Sequence, residues 1–164
     1  MESEIMGLFR KSTDEKNINK YKQNGLSFNY PNNYLIANIP DNCPECKVAL
    51  AKDDGKCDIL IEVSEEKINY QKNVFENAYI NYVKNLDGFF EIESIGSLGN
   101  KKPCFITKSY FNKNSLDKQE IVKSVIFFDF NFKNPIRIHL NSLLKDEYDC
   151  MNDLKIISKN LNYK

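Results

Sequence analysis

The stretch Glu120-Ile121-Val122-Lys123-Ser124-Val125-Ile126-Phe127-Phe128-Asp129-Phe130-Asn131-Phe132 decides how this chain folds. Read at a period of two, Val122, Ser124, Ile126, Phe128, Phe130 and Phe132 share one face. Ile121, Val125 and Phe127 lie on the other, which Lys123 interrupts and Asp129 and Asn131 end. A strand apolar on both faces through its middle belongs at the centre of a sheet covered above and below. The expectation is a strand over 120–132, shielded by two amphipathic helices.

Working outward, Asn134-Pro135 makes the next turn, and Ile136, Ile138 and Leu140 form the inward face of a last strand. A terminal helix follows, because Cys150, Leu154, Ile157 and Leu161 are spaced four, three and four apart, with Asp149 as its cap. Upstream, Cys104 to Phe111 and Phe89 to Leu98 read as strands joined at Gly99-Asn100. Before them lies a helix that Asn73 caps, with Glu76 three positions on completing a capping box. Phe75, Tyr79, Tyr82, Val83 and Leu86 form its apolar stripe and Asp87-Gly88 its stop.

Earlier still, Lys47 to Lys52 and the strand carrying Cys57, Ile59, Ile61 and Val63 flank Asp53-Asp54-Gly55, a hairpin turn. Leu26, Phe28 and Tyr30 alternate with polar residues up to Pro31, and Tyr34 to Ile39 is a short strand. Antiparallel hairpins with two segregated helices specify an α+β fold: a central antiparallel β-sheet flanked by two helices. One domain spans residues 23–164. Residues 1–22 read as a loosely ordered arm, polar except for Ile5, Met6, Leu8 and Phe9.

Composition narrows the function. Lys+Arg and Asp+Glu are both 23, so no basic surface is set out for nucleic acid. No run approaches the roughly 20 apolar residues of a membrane span, and the N-terminus lacks the apolar core of a secretory signal. Five cysteines, an odd number, fit a reducing compartment, and the chain reads as cytoplasmic. A single histidine, His139, excludes sites built from several imidazoles. No cofactor is implied.

The segment Gly25-Leu26-Ser27-Phe28-Asn29-Tyr30-Pro31-Asn32-Asn33-Tyr34 resembles the opening of the PsbP-like family, a glycine, alternating apolar residues, Tyr-Pro and an aromatic. With the element order it extends the likeness over residues 21–163. The resemblance implies an α/β/α sandwich. The family includes an extrinsic photosystem II subunit and a Ran-binding nucleotide-release factor, which share a scaffold and not a chemistry. No Ran-binding or manganese-associated residue set carries over.

Cys43-Pro44-Glu45-Cys46 is the one motif with a reactive reading, and incidental loop thiols, a reversible disulfide and half of a zinc site are its alternatives. Cys57 is no partner for it. A turn at Asp54-Gly55 pairs Cys57 with Lys52 and Cys46 with Val63, which sets the two cysteines about 20 Å apart at ~3.3 Å per residue. Cys104 and Cys150 fall on apolar periodicities, where cysteine acts as a small hydrophobe. Arg137, His139 and Asn141 share a strand face that suits an anion or a partner surface. Glu91 and Glu93 share another, where a solvated strand face is the simpler reading.

The function expected is therefore a non-enzymatic binding or accessory module for a protein partner, as monomer or homodimer, contacting it through Ile5, Leu8 and Phe9 of the arm and through Arg137 and His139. The alternative is a thiol-dependent redox or zinc protein using Cys43 and Cys46.

Overall fold

The structure is a computed structural model that describes residues 17–67, 72–86, 89–96, 104–115, 118–143 and 147–164, with the backbone alone for Lys72, for Phe75 of the expected stripe, for the described residues of 89–121 and for 147–149. The chain runs β1 (Ile18–Gln23), β2 (Leu26–Pro31), β3 (Tyr34–Ala37), β4 (Cys46–Lys52), β5 (Cys57–Val63), α1 (Lys72–Lys84), β6 (Phe89–Gly96), β7 (Cys104–Ser115), β8 (Lys118–Asp129), β9 (Ile136–Leu143), α2 (Glu147–Lys159) and β10 (Asn162–Tyr163). The fold is α+β, as read from the sequence.

Seven strands form the large sheet in the order β3-β4-β5-β9-β8-β7-β6, every neighbouring pair antiparallel. β8 is an interior strand, and Lys123, Ser124, Val125, Ile126 and Phe127 are buried in succession. It stands beside the central strand, β9, and ends at Asp129 instead of Phe132. The reason is local: the Asp129 carboxylate accepts the Asn131 backbone N–H, which bends the chain out of the ladder. Lys123 does not interrupt the inner face as a solvated charge, because it is fully buried opposite Ser142 of β9.

One face of the sheet is an apolar core. Leu50, Ile59, Ile61, Val125, Phe127, Ile138 and Leu140 meet Cys150, Leu154 and Ile157 of α2 there. Each such side chain, removed from water, contributes roughly 1.5–3 kcal/mol before conformational entropy is counted. The helical spacing at 150, 154 and 157 holds, but α2 starts at Glu147, so Asp149 lies inside the helix and Leu161 beyond it. Likewise α1 starts at Lys72, so Asn73 is a helical residue and not the cap.

The same core is closed by a second, three-stranded sheet, β1-β2-β10, that the expected single sheet did not include. β1 and β2 form a hairpin across Asn24 and Gly25, both at positive φ (51° and 79°), with Gln23 opposite Leu26. Asn-Gly between alternating residues is the sequence signal of this tight turn. β1 takes Ile18 to Lys22, the last residues of the expected arm, into the fold. Residues 1–16, with Ile5, Leu8 and Phe9, lie outside the described residues.

A buried polar contact ties the edge of the large sheet to α2. The Tyr34 hydroxyl donates to Asp153 Oδ2 at 2.7 Å, and Lys52 Nζ lies 4.0 Å from the same oxygen. No helix among the described residues is long and apolar enough to cross a membrane.

Candidate functional site

The other face of the large sheet is polar at its centre, and the pleat decides which residues reach it. Along β9 the inward residues are Ile136, Ile138 and Leu140, so Arg137, His139 and Asn141 project to the opposite side. Register sets their neighbours: Glu62 of β5 stands opposite Arg137, Asp58 opposite Asn141, and Ser124 of β8 beside Asn141. Between these strands and α1 opens a cavity of about 680 Å³, lined among others by Arg137, His139, Ser124, Tyr79 and Tyr82. Tyr79 and Val83 of α1 are buried, whereas Tyr82 and Leu86 stand 56% and 37% exposed at the lip. The expected stripe on α1 is therefore split between a buried edge and an exposed one.

The floor is a row of paired polar groups. Arg137 Nε donates to Glu62 Oε2, and the Cys43 thiol donates to Glu62 Oε1 at 2.7 Å. Burial alone would push the Glu62 carboxyl up, but the hydrogen bonds from Arg137 and Cys43 and the guanidinium charge hold it below the ordinary carboxylate range. Arg137 is pushed the other way, its burial outweighed by Glu62. His139 Nε2 and Ser124 Oγ share a hydrogen bond of 2.7 Å. Burial, then the Arg137 charge, lowers the pKa of His139, so the imidazole is neutral at pH 7.

A serine hydrogen-bonded to a histidine invites a nucleophilic reading, which the backbone does not support. Acyl transfer needs N–H donors free to hold an oxyanion. Ser124 sits mid-ladder, opposite Ser109 on one side and Asn141 on the other, so the neighbouring N–H groups are committed to strand pairing. Ser124 and His139 satisfy each other on a half-buried face.

Cys43 and Cys46 border this floor. A bulge between Cys46 and Val48 shifts the β4–β5 register by one, so that Cys46 stands opposite Glu62 and not Val63. Beyond the bulge, Val48↔Ile61 and Ala51↔Asp58 keep the register expected from the Asp54-Gly55 turn. Cys46 and Cys57 consequently occupy opposite faces of the sheet as well as distant positions. Burial and the Glu62 carboxylate push the Cys43 thiol up to about 11, and burial raises Cys46, so both are protonated near neutrality. Among the described residues no group of three or more His, Cys, Asp or Glu is placed to hold a metal. Cys150 is buried, as its periodicity implied; the side chains of Cys104, Glu91 and Glu93 lie outside those described.

The structure thus brings Arg137 and His139 into one cleft with residues that sequence reading did not assign to it: Glu62, Ser124, Tyr79 and Tyr82. The alternation along β8 and β9 was enough to find the face. The crossing of α1 over it has no local sequence signal.

No protein-family model and no curated protein matches the chain. Solved structures do. The crystal structure of the Saccharomyces cerevisiae Ran-binding protein Mog1p superposes with a TM-score of 0.61 at 11% identity, over 90% of this chain and 95% of that one. The solution structure of cyanobacterial PsbP from Synechocystis gives 0.57 at 11% identity, over 93% and 96%. LpqN of Mycobacterium tuberculosis, involved in cell envelope biogenesis, gives 0.53 at 14%, over 96% and 95%. These full-length superpositions agree with the Gly25-to-Tyr34 motif and the element order: the chain has the fold shared by PsbP and Mog1p.

Proposed function

We propose that the chain is a non-enzymatic binding module that recognises a protein partner over the cleft between α1 and the β5–β9–β8 face. The large sheet then lies between α1 and α2 as the middle layer of an α/β/α sandwich. The observation that carries this reading is the split of the cleft into an exposed apolar lip, Tyr82 and Leu86, and a floor whose charged groups are already paired. An enzyme site spends its polarity on groups kept reactive, with shifted pKa values matched to proton transfer. Here the shifts run toward inertness: neutral His139, protonated Cys43, ionised and paired Glu62. An aromatic lip around a polar, pre-paired floor is the anatomy of a recognition surface.

Mog1p, a Ran-binding protein, supplies the analogy for a protein partner, at the level of fold only. Ile5, Leu8 and Phe9 form a second contact in this proposal, reached from β1 at the edge of the small sheet. A reducing compartment such as the cytoplasm accords with the five cysteines. The thiol-dependent alternative is not retained, because neither Cys43 nor Cys46 is activated.

Affinity capture from the native host tests the reading. The full chain should retain a protein partner that Tyr82→Ala and Arg137→Ala release at least ~10-fold more readily. Removal of residues 1–16, which leaves β1 intact, should weaken capture further. Equal retention by the Tyr82→Ala chain would place recognition elsewhere.

A further inference from the structure

The α2 side of the large sheet is apolar along most of its length and polar at one end. Register sets the row of residues there. Tyr34 of β3 stands opposite Lys52 of β4, the pairing of Ala51 with Asp58 brings Lys52 beside Cys57, and Cys57 of β5 stands opposite Ser142 of β9. Cys57 is in phase with Ile59 and Ile61, so it faces α2. Cys150, in phase with Leu154 and Ile157, faces the sheet from the start of α2, and both cysteines belong to the same buried cluster. Asp153, one turn beyond Cys150, marks the same spot: its carboxylate accepts the Tyr34 hydroxyl at 2.7 Å, with Lys52 Nζ 4.0 Å away. Tyr34 also hydrogen-bonds Cys57, and the Cys57 and Cys150 thiols hydrogen-bond each other. Strand register, helix phase and the Tyr34–Asp153 bond thus converge on two buried sulfurs side by side.

We infer that Cys57 and Cys150 form an oxidation site, at which hydrogen peroxide closes a disulfide between β5 and α2. The hydrogen bond with Cys57, and then the Lys52 charge, hold the Cys150 thiol below its ordinary range against the pull of burial, whereas the same bond and burial raise Cys57. That asymmetry assigns the roles, Cys150 as nucleophile and Cys57 as its resolving partner. The Cys150 sulfur attacks one peroxide oxygen, the O–O bond breaks, and the departing oxygen leaves as water with the Cys150 proton. Sulfur is oxidised by two electrons to a sulfenic acid and the peroxide is reduced. The Cys57 sulfur then displaces the sulfenic hydroxyl, which leaves as a second water with the Cys57 proton. Two thiols and one peroxide give one disulfide and two waters. Burial leaves room only for a small oxidant. A reducing compartment reopens the bridge, so the modification is reversible.

The full chain, reduced, freed of reductant and treated with hydrogen peroxide while folded, tests this. After alkylation of the remaining thiols, intact mass should show the loss of two hydrogens, and digestion should yield one peptide pair joined through Cys57 and Cys150. The bridge closes a loop of roughly 90 residues, so the oxidised chain should unfold at a higher temperature than the reduced one, and a reductant should restore the original midpoint. Cys57→Ser should stop the reaction at a sulfenic acid on Cys150, which dimedone labels. A Cys43→Ser, Cys46→Ser chain should form the bridge as fast as the parent. A disulfide through other cysteines, no bridge at all in the folded chain, or a Cys57–Cys150 bridge that forms only in urea overturns the inference.

Discussion

The two faces of the seven-stranded sheet are built from the same strands and do opposite work. On the α2 side, Ile59, Ile61, Ile136 and Ile138 are fully excluded from water within one apolar cluster. On the α1 side, the alternate residues of those strands, Glu62, Arg137 and His139, are held by hydrogen bonds at the margin of a cavity. The first face is stabilised by area and shape, the second by pairing. Area burial is non-directional and tolerates no void, whereas a paired polar face keeps its form only while each partner stays in place. A sheet made this way has a rigid back from which a shaped polar surface can be presented.

Breaking the back should cost most. Ile138→Ala removes a fully buried side chain at the centre of the sheet and should lower stability by ~2–5 kcal/mol, read from the midpoint of urea unfolding with an unchanged slope. On the polar face, Arg137→Ala strands the nearly buried Glu62 carboxylate and should cost ~1–3 kcal/mol. Replacing Glu62 as well, in an Arg137→Met, Glu62→Met chain, should recover most of that loss, since two matched apolar residues leave no charge behind. If the double variant is less stable than Arg137→Ala, the pair is not the unit we describe.

Acid should separate the faces without mutation. His139 has its pKa lowered in the folded chain, so below about 6.5, the ordinary histidine value, the unfolded state takes up a proton that the folded state refuses. Stability is therefore full above that pH and falls as pH drops toward the folded value. Glu62, also lowered, adds a second loss that begins below its ordinary value near 4.5 and runs to the folded one. A His139→Asn chain should lose the first decline and keep the second, as followed by thermal unfolding between pH 7 and about 2. The smallest effect belongs to the lip: Tyr82→Ala, at a half-exposed position, should stay within ~0.5 kcal/mol of the parent while reducing partner capture.

Most of the strands were legible in the sequence, because the strand period is two and the core face of β5, β8 and β9 is almost unbroken. The Asp54-Gly55 turn likewise carried the β4–β5 register from Ala51 to Val48. Legibility failed where the deciding partner is remote in sequence. The Asn24-Gly25 signal was local and could have revealed β1. The pairing of β2 with β10 could not be read, since Leu26 and Tyr163 meet only after the whole domain has closed. Gly25 records that closure: the Lys164 carbonyl oxygen lies 2.7 Å from where a Cβ would stand, and Lys164 N–H bonds to Gly25 O.

The candidate site divides in the same way. Alternation alone put Arg137, His139 and Asn141 on one face, because neighbouring side chains of a strand must point to opposite sides. Which charge Arg137 would meet was settled by the β5–β9 register, and what stands over it by the lie of α1, both products of long-range packing. Periodicity is a property of the backbone and is written along the chain. Juxtaposition is a property of the closed fold, and no window of neighbouring residues contains it.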